Sequence, residues 1–296
     1  MAKIFMAENR KSLTPDAAAL RARRSASSGK ILLFVICVLV AYVMVVPFIW
    51  MLSASFKPNT EIFTYPIQWI PRPLFLGHYT SVLVDINYPL NFFNSAKLTV
   101  IITAIQLFTC SLAAFSFSKL RFPGRDKIFL AYLATMMIPW HAIMIPQFIV
   151  VKSFNLYNTH GALIVLHAFS AFGVFLLRQN MMSIPDSLHE AAKIDGCSSF
   201  RVYWNIILPL TKTGLATLCV LTFNGIWNDY MGPMIYLDSE HLKTIQIALA
   251  GFREQYSANY GAIMAGTVVS IIPVVVVYAL AQKYIVEGIA YAGLKG

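Results

Sequence analysis

The sequence predicts an all-α integral membrane protein with six transmembrane helices, and three observations predict it. Of its 296 residues, 58% are hydrophobic and only 12% are charged, against roughly a quarter charged in a soluble domain. Five segments, 31–56, 98–118, 128–151, 153–177 and 255–282, contain no Lys, Arg, Asp or Glu, and about 20 helical residues cross a bilayer core. The apolar runs lack period-two alternation, so a β-barrel is not expected. Helices remain, because they close their own backbone hydrogen bonds as lipid requires.

Taken in order, the expected spans are 31–54, 95–118, 128–151, 161–178, 206–230 and 261–283. A basic segment, 1–30, precedes the first, giving two domains: 1–30, and a six-span unit 31–296 that ends in a tail, 284–296. Ser53-Ala54-Ser55 offers small residues for cleavage of a signal peptide, but the apolar run is too long and its basic leader too extended. The outer segment 57–94 carries Pro58, Pro66, Pro71, Pro73 and Pro89 among aromatics, a composition too structured for a tether. Pro139 and Pro146 are expected to bend the third span. The fifth extends backwards through apolar 202–211, interrupted by Lys212, whose stem can snorkel to water. In the sixth, Ala262, Gly266 and Ser270 form a small-residue stripe for close helix packing.

Basic residues orient the chain. With six spans, both termini share a side with loops 119–127 and 178–212, and that side holds 17 of the 23 Lys and Arg. By the positive-inside rule it is cytoplasmic. Acidic headgroups are a sufficient use for the net charge of +10, so no nucleic acid is implied. Cys37, Cys110, Cys197 and Cys219 show neither pairing nor metal spacing, and no disulfide is expected.

The most informative segment is 184–210, between the fourth and fifth spans. Pro185 suits a first helical turn, and Ser187 with Glu190 has capping-box spacing. Leu188, Ala191, Ala192 and Asp195 recur at i, i+3, i+4 and i+7 and share a face. Gly196 can end the helix in a left-handed conformation, and Pro209 is expected to break or kink the chain where the next span begins. Two adjacent alanines would let another surface approach closely. By pattern alone, a docking helix and an ordinary interfacial helix both fit.

The residues also carry a resemblance. Glu190-Ala191-Ala192, three residues, Gly196, nine residues, then Ile206-x-Leu208-Pro209 resembles the EAA loop of ATP-binding-cassette importer permeases; Thr213 stands where many relatives have proline. From about residue 30 onward the chain resembles the smaller membrane subunit of maltose-type carbohydrate importers. Arg121-Phe122-Pro123-Gly124, Met137-Ile138-Pro139 through Pro146, Asn158-Thr159, and Trp227-Asn228-Asp229-Tyr230 with Pro233 carry that likeness, although relatives often place Glu at the position of Asp229. The resemblance implies a type I importer permease fold in a bacterial inner membrane, with both termini cytoplasmic. It implies a coupling helix whose Leu188, Glu190, Ala191, Ala192, Asp195, Gly196, Leu208 and Pro209 form the contact with an ATPase. It further implies a tail, Gly293, Leu294, Lys295 and Gly296, that reaches between two ATPase subunits. The implied partners are those ATPases, a second homologous permease and an extracytoplasmic solute-binding protein. The implied cargo is a carbohydrate, most readily an oligosaccharide.

Asn224, Trp227, Asn228 and Met231 fall on one face of the fifth span, where polar side chains serve either interhelical hydrogen bonding or a pathway. His141 and His167 have no acidic partner at helical spacing, which argues against a proton relay. The chain lacks a G-x-x-x-x-G-K-[ST] phosphate loop, so ATP and magnesium would sit in partner subunits and this chain would hold no cofactor. It also lacks zinc-type clusters and a nucleophile with a base, so an enzyme is the weakest competitor. An ion-coupled secondary transporter would need acids within its spans, and they hold almost none. A permease for a non-sugar solute stays open.

Overall fold

The computed structural model describes residues 15–84, 87–255 and 259–293, and among them every regular element is helical. Helix α1 (Pro15–Ala54) leads to a turn-rich stretch and α2 (Gly77–Val84). Helix α3 (Tyr88–Lys119) starts with Pro89 in its first turn, where a missing N–H costs nothing. Next come α4 (Arg125–Ala134), α5 (Trp140–Ser153), α6 (His160–Leu166) and α7 (Ala171–Met182). A short helix α8 (Asp186–Ile194) precedes α9 (Ser199–Val202), a π turn (Tyr203–Ile207), α10 (Leu208–Leu210) and α11 (Lys212–Trp227). The chain continues through α12 (Met231–Tyr236), α13 (Ile245–Gln255) and α14 (Tyr260–Gly293).

Among the described residues, three helices are long and apolar enough to cross a membrane alone, in α1, α3 and α14. Three more crossings follow if each of three bent pairs is one span, with bends of 99° between α4 and α5, 43° between α6 and α7, and 78° at Thr211. These breaks correct the expectation of continuous helices at 128–151, 161–178 and 206–230. The first has the expected agent, since Pro139 holds itself and Ile138 extended. Pro146, also expected to bend this span, lies inside the unbroken α5. At the third break Pro209 sits in the first turn of α10, and the chain turns two residues later. There the Thr211 hydroxyl donates back to the Ile207 carbonyl at 2.6 Å, a bond that bends helices.

The second break has no proline. Ser170 is extended and caps α7 by accepting from the Gly173 N–H at 3.1 Å. The carbonyls released by the break are taken up by α3: Gln106 Nε2 donates to His167 O at 2.9 Å and Thr109 Oγ1 to Ala168 O at 2.7 Å. Backbone at membrane depth tolerates a break only where protein or water satisfies it. Helix α3 can come this close because Gly173 opposes it; a Cβ there would lie 2.9 Å from Cys110 Sγ.

Helix α3 is the spine. Its buried residues enter all three apolar clusters: one with α7, α8 and α11, one with α2, α13 and α14, and one with α5, α6 and α12. The small-residue stripe of α14 does pack closely: Trp227 Nε1 donates to Ser270 O at 2.9 Å, and Tyr88 OH donates to Gly266 O. Helix α1 is different, because its apolar window buries nothing against its own chain.

Candidate functional site

Helix α8 is a short, exposed helix with a built end. Gly196 has φ of 80°, a conformation that any side chain would strain. The Gly196 N–H donates to Lys193 O at 3.1 Å and the Cys197 N–H to Ala192 O at 2.9 Å, the paired bonds of a Schellman termination. The start differs from expectation. Pro185 occupies the cap position and Ser187 lies inside the helix, with no side-chain cap bond, so the Ser187–Glu190 capping box does not form.

An ion pair anchors the start instead. Lys119, the last residue of α3, sends its ammonium to the Ile184 carbonyl and to Asp186 Oδ1, both at 2.6 Å. The lysine side chain is 2% exposed and the aspartate 68%, so the cation is held inside while its partner meets solvent. Hydrogen bonding and then the charge of Lys119 hold the Asp186 carboxyl below its ordinary range. His189 packs against Phe115, and its Nδ1 has no hydrogen-bond partner among the described residues. Burial first, then Lys193 and Lys119, lower its pKa. Beside this anchor, Arg178 of α7 lies 4.2 Å over the Phe129 ring of α4 and donates to Phe117 O of α3 at 3.2 Å. It also donates to Asp126 at 3.2 Å. The ends of α3, α4, α7 and α8 are thus tied together.

The helix divides the residues expected on its contact face. Leu188, Glu190, Ala191 and Asp195 are exposed, and so is Ile194, at 86%, which the periodicity reading passed over. Ala192 is a correction: at 5% exposed it packs into the chain's own core with Val202 and Tyr203. Only one of the two alanines can meet a partner. Leu208 and Pro209 lie a π turn away in α10, off this face. At the other end of the chain, α14 carries helix to Gly293, so most of the expected tail is a continuation of the last span; Leu294, Lys295 and Gly296 lie outside the described residues.

The face expected on the fifth span is also dispersed. Trp227 is buried, at 2% exposed, and bonded to α14. Asn228 ends α11 and bonds to Asn224 Oδ1 at 3.0 Å, while Met231 opens a different helix. A cavity of about 370 Å³ lies instead between α11 and the α6–α7 break, lined by Gln106, His167, Ser170, Thr222, Gly225 and Asp229 among others. Their signal was weak in the sequence, because they come from three separate segments.

Long apolar helices, bent helix pairs of the same character and a structured helix outside them define an integral membrane protein. The chain belongs to the family described as binding-protein-dependent transport system inner membrane component, whose model matches residues 106–291; these are ABC transporter permeases. It is 31% identical over 260 residues to the arabinooligosaccharides transport system permease protein of Halalkalibacterium halodurans, covering 87% of this chain and 93% of that one. It is 31% identical to the lactose transport system permease protein of Rhizobium radiobacter, covering 84% and 91%. Among solved structures it is similar to a chain of a bacterial ABC transporter involved in the import of the acidic polysaccharide alginate. That likeness has a TM-score of 0.77 and 28% identity, over 88% of this chain and 98% of the other.

Proposed function

We propose that this chain is one permease subunit of a binding-protein-dependent, ATP-driven importer for a carbohydrate, working by alternating access in a bacterial inner membrane. The saccharides named for its relatives support the cargo class, and the family's own description supports a solute-binding protein as partner. In this reading the chain crosses the membrane six times, each bent pair counting once, with both termini and α8 in the cytoplasm. It pairs with a second homologous permease and two ATPase subunits. ATP and magnesium belong to those ATPases, and this chain performs no hydrolysis.

One observation carries the coupling role: α8 presents Leu188, Ala191 and Ile194 outward while Lys119 and Ala192 hold its other side to the bundle. Exposed apolar side chains on a helix locked at both ends suit docking onto a rigid partner. Closure of the ATPase pair would displace α8, and the tie to Lys119 would pass the displacement to α3. The tail after α14 would enter the interface between the ATPases.

Gly196→Pro cannot adopt the required positive φ, and Glu190→Lys reverses an exposed charge on the docking face. In the complete reconstituted transporter, both are expected to uncouple nucleotide hydrolysis from solute uptake while the complex still assembles. Full uptake by both variants would overturn the coupling role. So would cross-linking in which residues 188–196 reach only lipid or their own subunit throughout the hydrolytic cycle.

A further inference from the structure

We propose that the groove at the α6–α7 break is a saccharide contact site contributed by this chain, and that it selects neutral sugars over uronates. The proposal rests on the carbohydrate importer reading above and deepens it.

The groove's position comes first. Discontinuous membrane helices mark solute sites in transporters; the His167 and Ala168 carbonyls at this break are bonded to α3, and beside them opens the cavity of about 370 Å³. Its floor is a polar chain. Thr222 Oγ1 donates to Gln106 Oε1 at 2.6 Å, and Gln106 Nε2 donates to the His167 carbonyl at the break. His167 Nδ1 donates to Leu163 O at 2.9 Å, which leaves Nε2 as the ring's remaining polar atom. Asp229 accepts the Gly232 N–H at 3.1 Å through Oδ1, and a carboxylate has lone pairs beyond that bond.

Asp229 lies just past the end of α11, at the rim of the fifth span. Asp229 also borders a second, smaller space of about 10 Å³, room for a single water. The Thr244 hydroxyl borders the same space and is buried without a partner among the described residues.

Chemistry sets the ligand class. Carboxylate, amide and imidazole groups beside a hydroxyl suit a polyhydroxylated solute, and Phe172 supplies an aromatic wall for the C–H face of a sugar ring. Among the described residues no Lys or Arg lines the groove, whose one charged residue is Asp229, so a uronate carboxylate would meet like charge without a counter-cation. The lining also leaves space: a Cβ on Gly225 would meet nothing within 4 Å.

The test uses the complete transporter, with its partner permease, ATPases and binding protein, and radiolabelled lactose, arabinotriose and trimannuronate as probes. The wild type should take up lactose or arabinotriose and exclude trimannuronate. Uptake should fall with side-chain volume at residue 225, modestly in Gly225→Ala and at least about tenfold in Gly225→Trp, with the complex recovered at wild-type yield. Should the tryptophan variant fail to assemble, Gly225→Cys answers separately. A charged, membrane-impermeant thiol reagent should label it above the background of the four native cysteines, and arabinotriose or lactose should slow that labelling. Wild-type uptake by Gly225→Trp, or a Gly225→Cys variant whose new thiol stays unreactive, would overturn the site and leave the importer reading standing. Preferential uptake of trimannuronate would overturn the charge selection. Absence of ATP-dependent uptake of all three saccharides would overturn the sugar assignment together with the reading beneath it.

Discussion

Lys119 shows how much rests on one side chain. Its ammonium ends a long membrane helix, is nearly excluded from water, and meets both a carbonyl and the first-turn carboxylate of α8. Truncating the partner leaves the cation short of an acceptor, so Asp186→Ala is expected to cost about 1–3 kcal/mol in the anchoring of α8. Hydrogen exchange of the 187–194 amides would measure it. The pH dependence follows from two lowered pKa values. Asp186 favours its charged form in the folded chain, so its contribution is complete above the ordinary value of 3.8 and is lost as pH falls through the lowered one. His189 favours its neutral form, so its contribution is complete above 6.5 and likewise fades on acidification. Both contributions have the same sign. Exchange protection of α8 should fall from pH 7 to pH 5 through His189, and His189→Gln should flatten that first decline. Unchanged protection across this range in the parent chain would contradict the assignment.

At the scale of elements, the close contact of α3 with α7 decides where the fourth span can break. Gly173→Val would drive methyl groups toward Cys110 and Leu218, and overpacking of this kind costs about 1–3 kcal/mol. Thermal unfolding of the purified complex should register the loss. The same contact supplies the hydrogen bonds that satisfy the broken backbone, so Gln106→Leu should destabilise the 167–170 segment more than an exposed substitution would. Sequence periodicity located α8 and its glycine end correctly because both are local: four residues of spacing and one positive φ. It misjudged the start, because the group that satisfies Asp186 lies 67 residues away on α3, and it misplaced Ala192, because a helical wheel cannot say which arc meets the core. The continuous spans failed for a similar reason. Charge-free length measures the cost of entering lipid, while a bend depends on which neighbour receives the released carbonyls.

For the whole molecule, the expected topology makes a direct demand. Ser187→Cys should react with an impermeant thiol reagent only in inside-out vesicles, and Asn59→Cys only from the opposite face. Labelling of both from one side would contradict the proposed orientation. Helix α1 has an apolar window in which no residue is buried by its own chain, so lipid or another subunit has to cover it.

Composition and charge-free length by themselves determined that this is a polytopic helical membrane protein, and the Glu190-Ala191-Ala192 to Pro209 spacing pointed to its family. Both are carried by consecutive residues, and the free energy of burying apolar side chains in lipid is roughly additive along the chain. Tertiary structure alone decided the bends, the Lys119 anchor, the burial of Trp227 and the groove shared by Gln106, His167, Thr222 and Asp229. These depend on contacts between residues far apart in sequence, and only packing brings such residues together.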